Sequence, residues 1–196
     1  MDRPDATAAV LAAIEDHAAT LSSLRALAPA IASAAGTLAS CLAAGGQLLF
    51  CGNGGSAADA QHLAAEFVGC FLKERRALPA IALHTNTSAV TALGNDYGFE
   101  TVFARQVEAY GRAGDALVAI STSGRSPNVL HAVETARQLG LVTLGLSGGT
   151  GGPLAEACDT CLNVPSASTP RVQEGHILIG HIICGLVEDA LCAEMP

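Results

Sequence analysis

Between residues 47 and 164 the sequence repeats one pattern: a short apolar run, a cluster of Gly, Ser, Thr or Asn, and then a helical segment. Short apolar runs bounded by turn residues are typical of strands that are buried on both faces of a sheet. Such strands with intervening helices favour a parallel sheet. We therefore predict an α/β fold with a five-stranded parallel sheet of the doubly wound, flavodoxin-like type. The predicted strands are residues 47–52, 80–83, 115–121, 141–147 and 160–164.

Helices are predicted at both ends of the chain. Residues 5–43 are rich in Ala and Leu, and their apolar positions recur at helical spacing, which predicts two helices separated at Pro29. Residues 171–192 predict one long helix after a loop of Ser and Pro. Because the N-terminal pair is apolar on both faces, we expect residues 1–44 to pack against another subunit of a homo-oligomer.

The whole chain is predicted to form one domain. No internal repeat, low-complexity linker or second domain interrupts the 196 residues. A chain of this length buries about 70% of the surface that it exposes when unfolded. Residues 45–196 are then the α/β core with its C-terminal helix.

The composition argues against two classes of protein. Half of the residues are apolar and 14% are charged, which is the reverse of a disordered chain. Lys73 is the single lysine, and the net charge is −8. The few scattered arginines do not form the basic stripe that a nucleic-acid partner requires.

The sequence also predicts a soluble protein of the cytoplasm. Its seven cysteines are an odd number and stand mostly in apolar runs, as buried thiols of a reducing compartment do. The apolar stretch near the N-terminus is flanked by acidic residues, unlike a signal peptide, and Pro and Gly interrupt the uncharged segment 26–58. We therefore expect no membrane partner. Cys158 and Cys161 have the spacing of a redox or metal motif, but a structural role is favoured because no second such pair is present.

Two loops at the predicted strand ends are candidate ligand sites. The loop GNGGSAADAQH (52–62) fits a loose dinucleotide fingerprint, but the next strand ends in His84 rather than in an acidic residue, which weakens that interpretation. The second loop, residues 121–126, contains three Ser and one Thr before Pro127. We interpret it as a phosphate cradle of hydroxyls, backbone N–H groups and a helix dipole, with Ser126 as the helix cap. The alternative is an ordinary capped loop.

Polar residues on two predicted helices form a third candidate site. His62 and Glu66 are four positions apart and lie on one helix face, a spacing that suits a metal site or an acid/base pair but also occurs on solvated faces. Gln173 and His181 stand in the apolar C-terminal helix, eight positions apart, and can share an ion only if it lies between them. His176 is interpreted as structural, and Glu174 is a further polar residue of this helix.

Four stretches of the chain together resemble the sugar isomerase (SIS) family, and more narrowly the bacterial phosphoheptose isomerases. The stretches are CGNGGSAADAQHLAAEF, ALGNDYGFETVFARQVEA, GDALVAISTSGRSPNVL and RVQEGHILIGHIICGLVE. This resemblance implies a five-stranded parallel sheet and a homotetramer with active sites between subunits. It also implies conversion of sedoheptulose 7-phosphate to D-glycero-D-manno-heptose 7-phosphate for heptose-containing glycans such as lipopolysaccharide.

The resemblance also implies roles for individual residues. The expected contacts to the sugar are Asn53, Gly54, Gly55, Ser56, Glu66, Asn95, Asp96 and Gln173. The expected phosphate ligands are Ser121, Thr122, Ser123 and Ser126. The expected ligands of one Zn²⁺ per subunit are His62, Glu66, Gln173 and His181. We assign proton transfer between the sugar carbons to Glu66, with His181 as its acid/base partner.

An alternative function and two departures from the family pattern remain. A related module without catalysis would sense a phosphosugar or bind a protein partner, but the presence of Glu66, His62 and His181 favours the enzyme. Cys70 stands where many relatives have Arg, and residues 166–170 lack the Asp that relatives often have. Asn95 and Asp96 could equally form a turn before a helix. The departures leave the substrate preference open.

Overall fold

Residues 5–192, which the computed structural model describes, form one parallel sheet of five strands in the order β2-β1-β3-β4-β5. Every neighbouring pair of strands is parallel. This is the flavodoxin-like order, so the predicted fold class is confirmed. The strands are β1 (Leu48–Gly52), β2 (Ala80–Ala82), β3 (Ala116–Ile120), β4 (Val142–Gly148) and β5 (Thr160–Val164).

The predicted helical pair is present at the N-terminus, and its break falls just before Pro29. Residues Arg25–Leu27 tighten into a 3₁₀ turn, and Pro29 lies in the first turn of the next helix, where its missing N–H has no helical partner to lose. The helices within the described residues are α1 (Ala6–Leu24), α2 (Ala28–Ala43), α3 (Gly55–Val68), α4 (Thr87–Tyr97), α5 (Ala104–Tyr110), α6 (Pro127–Gln138), α7 (Gly152–Ala157) and α8 (Thr169–Cys192).

Two apolar clusters cover the two faces of the sheet. Alternate residues of β1 point to opposite faces, so Leu48 and Phe50 join the cluster of α2, α3 and α8. Leu49 and Cys51 join the cluster of α5, α6 and α7 on the other face. All five residues of β1 are buried, as expected for a strand that is covered on both sides.

Helix α8 is the element that joins the N-terminal pair to the sheet. It packs along α2, and its start is bound to α1, because His17 Nδ1 lies 2.6 Å from Glu174 Oε2 and Arg171 donates a hydrogen bond to the carbonyl of Ala13. Glu174, a candidate from the sequence, therefore has a structural partner.

Helices α3 and α8 approach each other closely at one point. A Cβ atom on Gly180 would lie 2.5 Å from a methyl carbon of Leu63, so the absence of a side chain at residue 180 makes this approach possible. The approach brings the neighbours of these residues, His62 and His181, into contact, with their rings inclined at 66°.

The cysteine pair is structural in its surroundings. The sulfur atoms of Cys158 and Cys161 both border Gly145 of β4, where a Cβ atom would lie 3.1 and 2.8 Å from them. Burial raises the pKa of Cys161 to about 11, and both thiols are free.

By length and hydropathy alone, the helical spans Ala6–Ala43 and Thr169–Cys192 could cross a bilayer. Half of the most apolar window of the second span is buried in the fold.

His176 lies in the core, as predicted for a structural histidine. Its side chain is fully buried on α8, and its Nε2 donates a hydrogen bond to the carbonyl of Ser147 at 3.0 Å. Burial lowers the pKa of His176 to about 4, because the charged imidazolium would lose its hydration. The hydrogen bond to Ser147 opposes this shift only in part.

The buried imidazole predicts an acid-sensitive fold. The pKa of His176 is lower in the folded than in the unfolded chain, so its contribution to the free energy of unfolding is complete above about pH 6.5 and is lost as the pH falls towards 4. We expect a loss of about 3 kcal/mol over this range. Urea unfolding with a chelator present, compared between the wild type and His176→Gln, measures it. Equal pH slopes for the two proteins would contradict the assignment.

Candidate active site

The carboxyl edge of the sheet brings the two predicted ligand loops together. Strands β1 and β3 are neighbours, and Gly52 at the end of β1 pairs with Ile120 at the end of β3. The side chain of Asn53 exchanges two hydrogen bonds with that of Asn128 on α6, at 2.8 and 2.9 Å. The loop after β1 is therefore bound directly to the helix after β3.

The first loop turns sharply into the N-terminus of α3. Gly54 adopts a positive φ of 55°, and a Cβ atom on Gly52 would lie 2.6 Å from the backbone of Ser56, so both positions require glycine. Ser56 is buried beneath the turn. Gly54 and Gly55 are exposed, and they leave the first N–H groups of α3 directed at this edge.

The second loop gathers hydroxyl groups at the N-terminus of α6. The Oγ atoms of Ser121 and Ser126 are 2.9 Å apart, and Ser123 Oγ accepts a hydrogen bond from the backbone N–H of Arg125. Ser126 stands at the N-cap position, but its hydroxyl binds Ser121 and not the first turn of α6. The predicted cap position is therefore confirmed, but without a side-chain hydrogen bond to the helix, so the first turn of α6 stays open to an anion. Thr122 is half-buried beside these serines.

Packing against the neighbouring strand holds this second loop rigidly. Gly124 has a φ of +63°, and a Cβ atom there would lie 1.8 Å from the carbonyl oxygen of Gly151. The Ser147 hydroxyl lies 3.0 Å from the carbonyl oxygen of Ser121 and 3.2 Å from that of Gly151, and its single proton is shared between these two acceptors. The loop is thus fixed to β4 and to the turn before α7.

Asn95 and Asp96 lie in the last turns of α4, which starts after β2. Both are exposed, and Asn95 Nδ2 donates a hydrogen bond to Asp96 Oδ1 at 2.7 Å. They belong to a helix, so the alternative of a turn before a helix is wrong. Their contact with a sugar stays a prediction.

The third candidate site is a compact group on α3 and α8. His62 Nε2 is 2.8 Å from His181 Nε2 and 3.3 Å from Glu66 Oε1. The ligand atoms of all three residues lie within 4.8 Å of one another. The ring of Phe71 stacks on that of His181, with centroids 5.3 Å apart. The structure thus brings together three of the four residues expected to bind a metal.

Gln173, the fourth expected metal ligand, lies further towards the N-terminus of α8, beside the start of α3. Its side-chain amide occupies the space in front of Gly55, where a Cβ atom would be 2.4 Å from Nε2. Gln173 and His181 are eight positions apart on the helix, a rise of about 12 Å. Gln173 is therefore adjacent to the turn at the start of α3, and its role as a metal ligand stays a prediction.

The chemistry of the group fits a divalent cation. Two ring nitrogens 2.8 Å apart require either one shared proton or a common positive ion between them. Two imidazoles and one carboxylate are a donor set that zinc uses in catalytic sites, with one position left open. The same carboxylate and imidazole can also serve as a base and an acid.

Several residues around this group were not found from the sequence. Asp59 stands one turn before His62, and burial raises its pKa to about 6, although the nearby His62 opposes the shift. Arg75 and Glu188 form an ion pair behind Glu66, with side chains 1% exposed. Arg75 belongs to the charged run KERR, which gives no sign of burial. Glu188 carries such a signal, because a carboxylate in an apolar helix needs a partner.

Comparison with known proteins identifies close relatives. The SIS domain family matches residues 14–148. The phosphoheptose isomerase of Rhodospirillum rubrum is 63% identical over 166 residues, which are 85% of this chain and 88% of the relative. That of Citrifermentans bemidjiense is 55% identical over 183 residues, which are 93% of this chain and 95% of the relative.

Solved structures agree with these relatives. The phosphoheptose isomerase of Neisseria gonorrhoeae superimposes with a TM-score of 0.90 at 44% identity, over 94% of this chain and 100% of that one. The NanR protein of Vibrio vulnificus, solved with ManNAc-6P, has 17% identity and a TM-score of 0.61 over 92% of this chain and 63% of that one, a likeness of fold alone. The chain therefore belongs to the SIS domain family and, within it, to the phosphoheptose isomerases.

Proposed function

We propose that the protein converts sedoheptulose 7-phosphate to D-glycero-D-manno-heptose 7-phosphate by aldose–ketose isomerisation. The observation that carries this proposal is the contact of Glu66 and His181 with His62, at 3.3 and 2.8 Å, in a chain so similar to the phosphoheptose isomerases. A carboxylate beside an imidazole supplies the base and the acid that this reaction needs. A regulator that only binds a sugar phosphate would not need this pair.

The reaction moves one proton between two carbons of the open-chain sugar. In our proposal the Glu66 carboxylate takes the proton from carbon 1 of the ketose while His181 donates a proton to the oxygen on carbon 2, which forms an enediol. His181 then takes the proton from the oxygen on carbon 1, and Glu66 returns its proton to carbon 2. Both residues end the cycle as they began it, so no other reactant is consumed.

His62, Glu66 and His181 would hold one Zn²⁺ per subunit, and Gln173 would join them as the fourth ligand. Bound zinc supplies Lewis-acid polarisation of a sugar oxygen. When Glu66 shares its carboxylate with the cation, it is a weaker base than a free carboxylate.

The Glu66 carboxylate is also within reach of solvent. Its side chain is 21% exposed, so a proton that it has taken from the sugar can exchange with water.

The substrate phosphate would bind the hydroxyl cradle at the other end of the site. The cradle consists of Ser121, Thr122, Ser123 and Ser126. Its hydroxyls and the open first turn of α6 bind an anion without a lysine, which suits a chain with net charge −8. The sugar hydroxyls would meet Asn53, Gly54, Gly55, Ser56, Asn95, Asp96 and Gln173.

We also propose a homotetramer with active sites at the subunit interfaces. Leu178, Ile182 and Leu186 of α8 are each 36–40% exposed and follow one another at a spacing of four residues, which makes one apolar stripe. Val10 and Ile14 of α1 are more than half exposed. Apolar surface of this kind supports burial against further copies of the chain.

Free cysteines support a cytoplasmic location. There the product would enter heptose-containing glycans such as lipopolysaccharide.

The base assignment predicts the effect of one substitution. Glu66→Gln fills the same volume but cannot accept the carbon-bound proton, so we expect turnover below about one-hundredth of the wild-type rate with the fold intact. With sedoheptulose 7-phosphate in deuterated water, NMR of the wild-type product should show deuterium at carbon 2. Glu134→Gln, at an exposed residue of α6, is the control and should retain activity. An active Glu66→Gln enzyme would contradict the assignment.

The metal assignment predicts zinc binding that depends on the histidines. We expect one ion per subunit by elemental analysis, and at least about tenfold weaker binding by calorimetry in His181→Ala. A chelator should lower activity without unfolding the chain, because the sheet and its clusters do not include the site. His131→Ala on α6 is the matched control. A fully active preparation without metal would show that the group acts as an acid/base pair alone.

The cradle predicts a selective loss of affinity. Ser126→Ala removes one hydroxyl of the Ser121–Ser126 pair, and we expect KM for the sugar phosphate to rise by about tenfold to a hundredfold while kcat changes little. Ser40→Ala on the surface of α2 should leave KM unchanged. Equal activity on sedoheptulose with and without phosphate would contradict the cradle.

The apolar stripe predicts that a charge dissociates the assembly. Sedimentation velocity should show a tetramer for the wild type and smaller species for Ile182→Glu, because a carboxylate cannot be buried there without a partner. Leu139→Glu, at an exposed apolar residue outside the stripe, should sediment as the wild type does. A monomeric wild type would rule the tetramer out.

A further inference from the structure

A buried ion pair lies directly behind the group of His62, Glu66 and His181. The guanidinium Nε of Arg75 is 3.0 Å from Oε1 of Glu188, and both side chains are 1% exposed. Removing two charges from water is costly, so such a pair persists only when further hydrogen bonds satisfy both groups. The partners of these hydrogen bonds indicate what the pair does.

Arg75 binds the C-terminal end of α3. Its guanidinium donates hydrogen bonds to the carbonyls of Glu66, Phe67 and Gly69, at 2.7, 2.9 and 3.0 Å. The carbonyls of Glu66 and Phe67 are among the last of the helix and have no helical partner, and that of Gly69 lies just beyond its end. A cation there also complements the helix dipole. One of the three carbonyls belongs to Glu66 itself. Arg75 therefore fixes the backbone of the residue that we assign as the base.

Glu188 binds the loop that follows α3. Its carboxylate accepts hydrogen bonds from the N–H groups of Phe71, Leu72 and Lys73, at 2.7, 2.8 and 3.1 Å. The ring of Phe71 stacks on His181, with an angle of 28° between the planes. Glu188 thus holds Phe71, and Phe71 holds the imidazole that we assign as the acid.

The carboxylate of Glu188 keeps its charge in this environment. Burial alone would raise its pKa, but the three backbone N–H groups and Arg75 outweigh burial and hold the pKa below the usual range for Glu. The charge of Arg75 is likewise permanent. Neither group is free to exchange protons with a substrate, which separates this pair from the acid/base pair in front of it.

We propose that Arg75 and Glu188 are positioning residues for the isomerisation: one ion pair sets both Glu66, through its carbonyl, and His181, through Phe71. The proposal rests on the proposed function, because it gives these two residues their catalytic roles. One linkage then fixes the distance between base and acid, although they stand on different helices.

A second ion pair on the same elements provides a matched control. Lys73 Nζ contacts Asp189 Oδ1, one residue beyond Glu188, but these side chains are 50% and 61% exposed. Exposed pairs contribute little to stability, and neither Lys73 nor Asp189 has a side-chain contact with Glu66, Phe71 or His181 among the described hydrogen bonds and ion pairs. Asp189→Asn therefore removes a charge from the same helix turn without touching the proposed linkage.

The test compares Glu188→Gln, Arg75→Lys and Asp189→Asn with the wild type. Sedoheptulose 7-phosphate is incubated in deuterated water, and NMR gives two rates: deuterium entry into the remaining ketose, and formation of the aldose. The ratio of deuterium entry to aldose formation reports how often the proton held by Glu66 exchanges with solvent and deuterium returns to carbon 1 rather than to carbon 2. A smaller folded fraction lowers both rates equally and leaves the ratio unchanged, whereas a displaced base or acid raises it.

We expect Glu188→Gln and Arg75→Lys to lower kcat by about tenfold to a hundredfold, because displacement of about 1 Å has effects of this size. KM should change less than about twofold, since the hydroxyl cradle lies on other loops. The ratio should rise several-fold in both variants and stay at the wild-type value in Asp189→Asn. Wild-type ratios in Glu188→Gln and Arg75→Lys would overturn the proposal.

A second measurement separates this proposal from the proposed function. In metal-free protein, a carbon-bound proton of the His181 imidazole senses the ring current of Phe71. Its NMR signal is assigned by its loss in His181→Gln. Its NMR signal should shift in Glu188→Gln and not in Asp189→Asn. A wild type that converts no sugar phosphate would refute the proposed function, and the His181 signal would still decide the linkage. An unshifted signal in folded Glu188→Gln would overturn it.

Discussion

The site depends on how closely α3 and α8 pack. Gly180 admits the side chain of Leu63, and one residue away on each helix His62 and His181 come within 2.8 Å. The same helix is set against the sheet at Gly175, where a Cβ atom would lie 2.8 Å from Val164 of β5. The side chains of Leu63 and Val164 fill the space that a Cβ atom would take at these two glycines, so a larger residue at either position requires those side chains or the helix to shift.

Binding and chemistry are assigned to different kinds of structure. The loops at the carboxyl edge of the sheet offer hydroxyls and open N–H groups, which suit an anion in a chain with net charge −8. The facing helices offer a carboxylate and two imidazoles, which suit proton transfer. The contact between Ser121 and Ser126 is an example from the binding loops. The Ser126 hydroxyl could cap α6, but it binds the Ser121 hydroxyl instead, which leaves the first turn of α6 open to an anion.

The sequence predicted the parts that depend on local pattern. The strands and long helices follow from apolar runs and periodicity, and the four-residue spacing of His62 and Glu66 places both on one face. Local pattern could not join His181 to them, because their contact depends on the packing of two helices and His181 lies 119 residues after His62. Only the resemblance to a known family grouped the three residues. The burial of Arg75 was missed for the same reason: its run of charges is typical of a solvated surface, and only the fold brings Glu188 behind it.

The reciprocal amide pair of Asn53 and Asn128 has a consequence for how such sites change over time. Each side chain donates to the other and accepts from it, so the orientation of one amide dictates that of its partner. Replacing either by Asp would set two acceptors against each other at one of the contacts. The two positions are 75 residues apart in the chain. Among related proteins we therefore expect both to remain Asn, or a substitution at one to be accompanied by a substitution at the other.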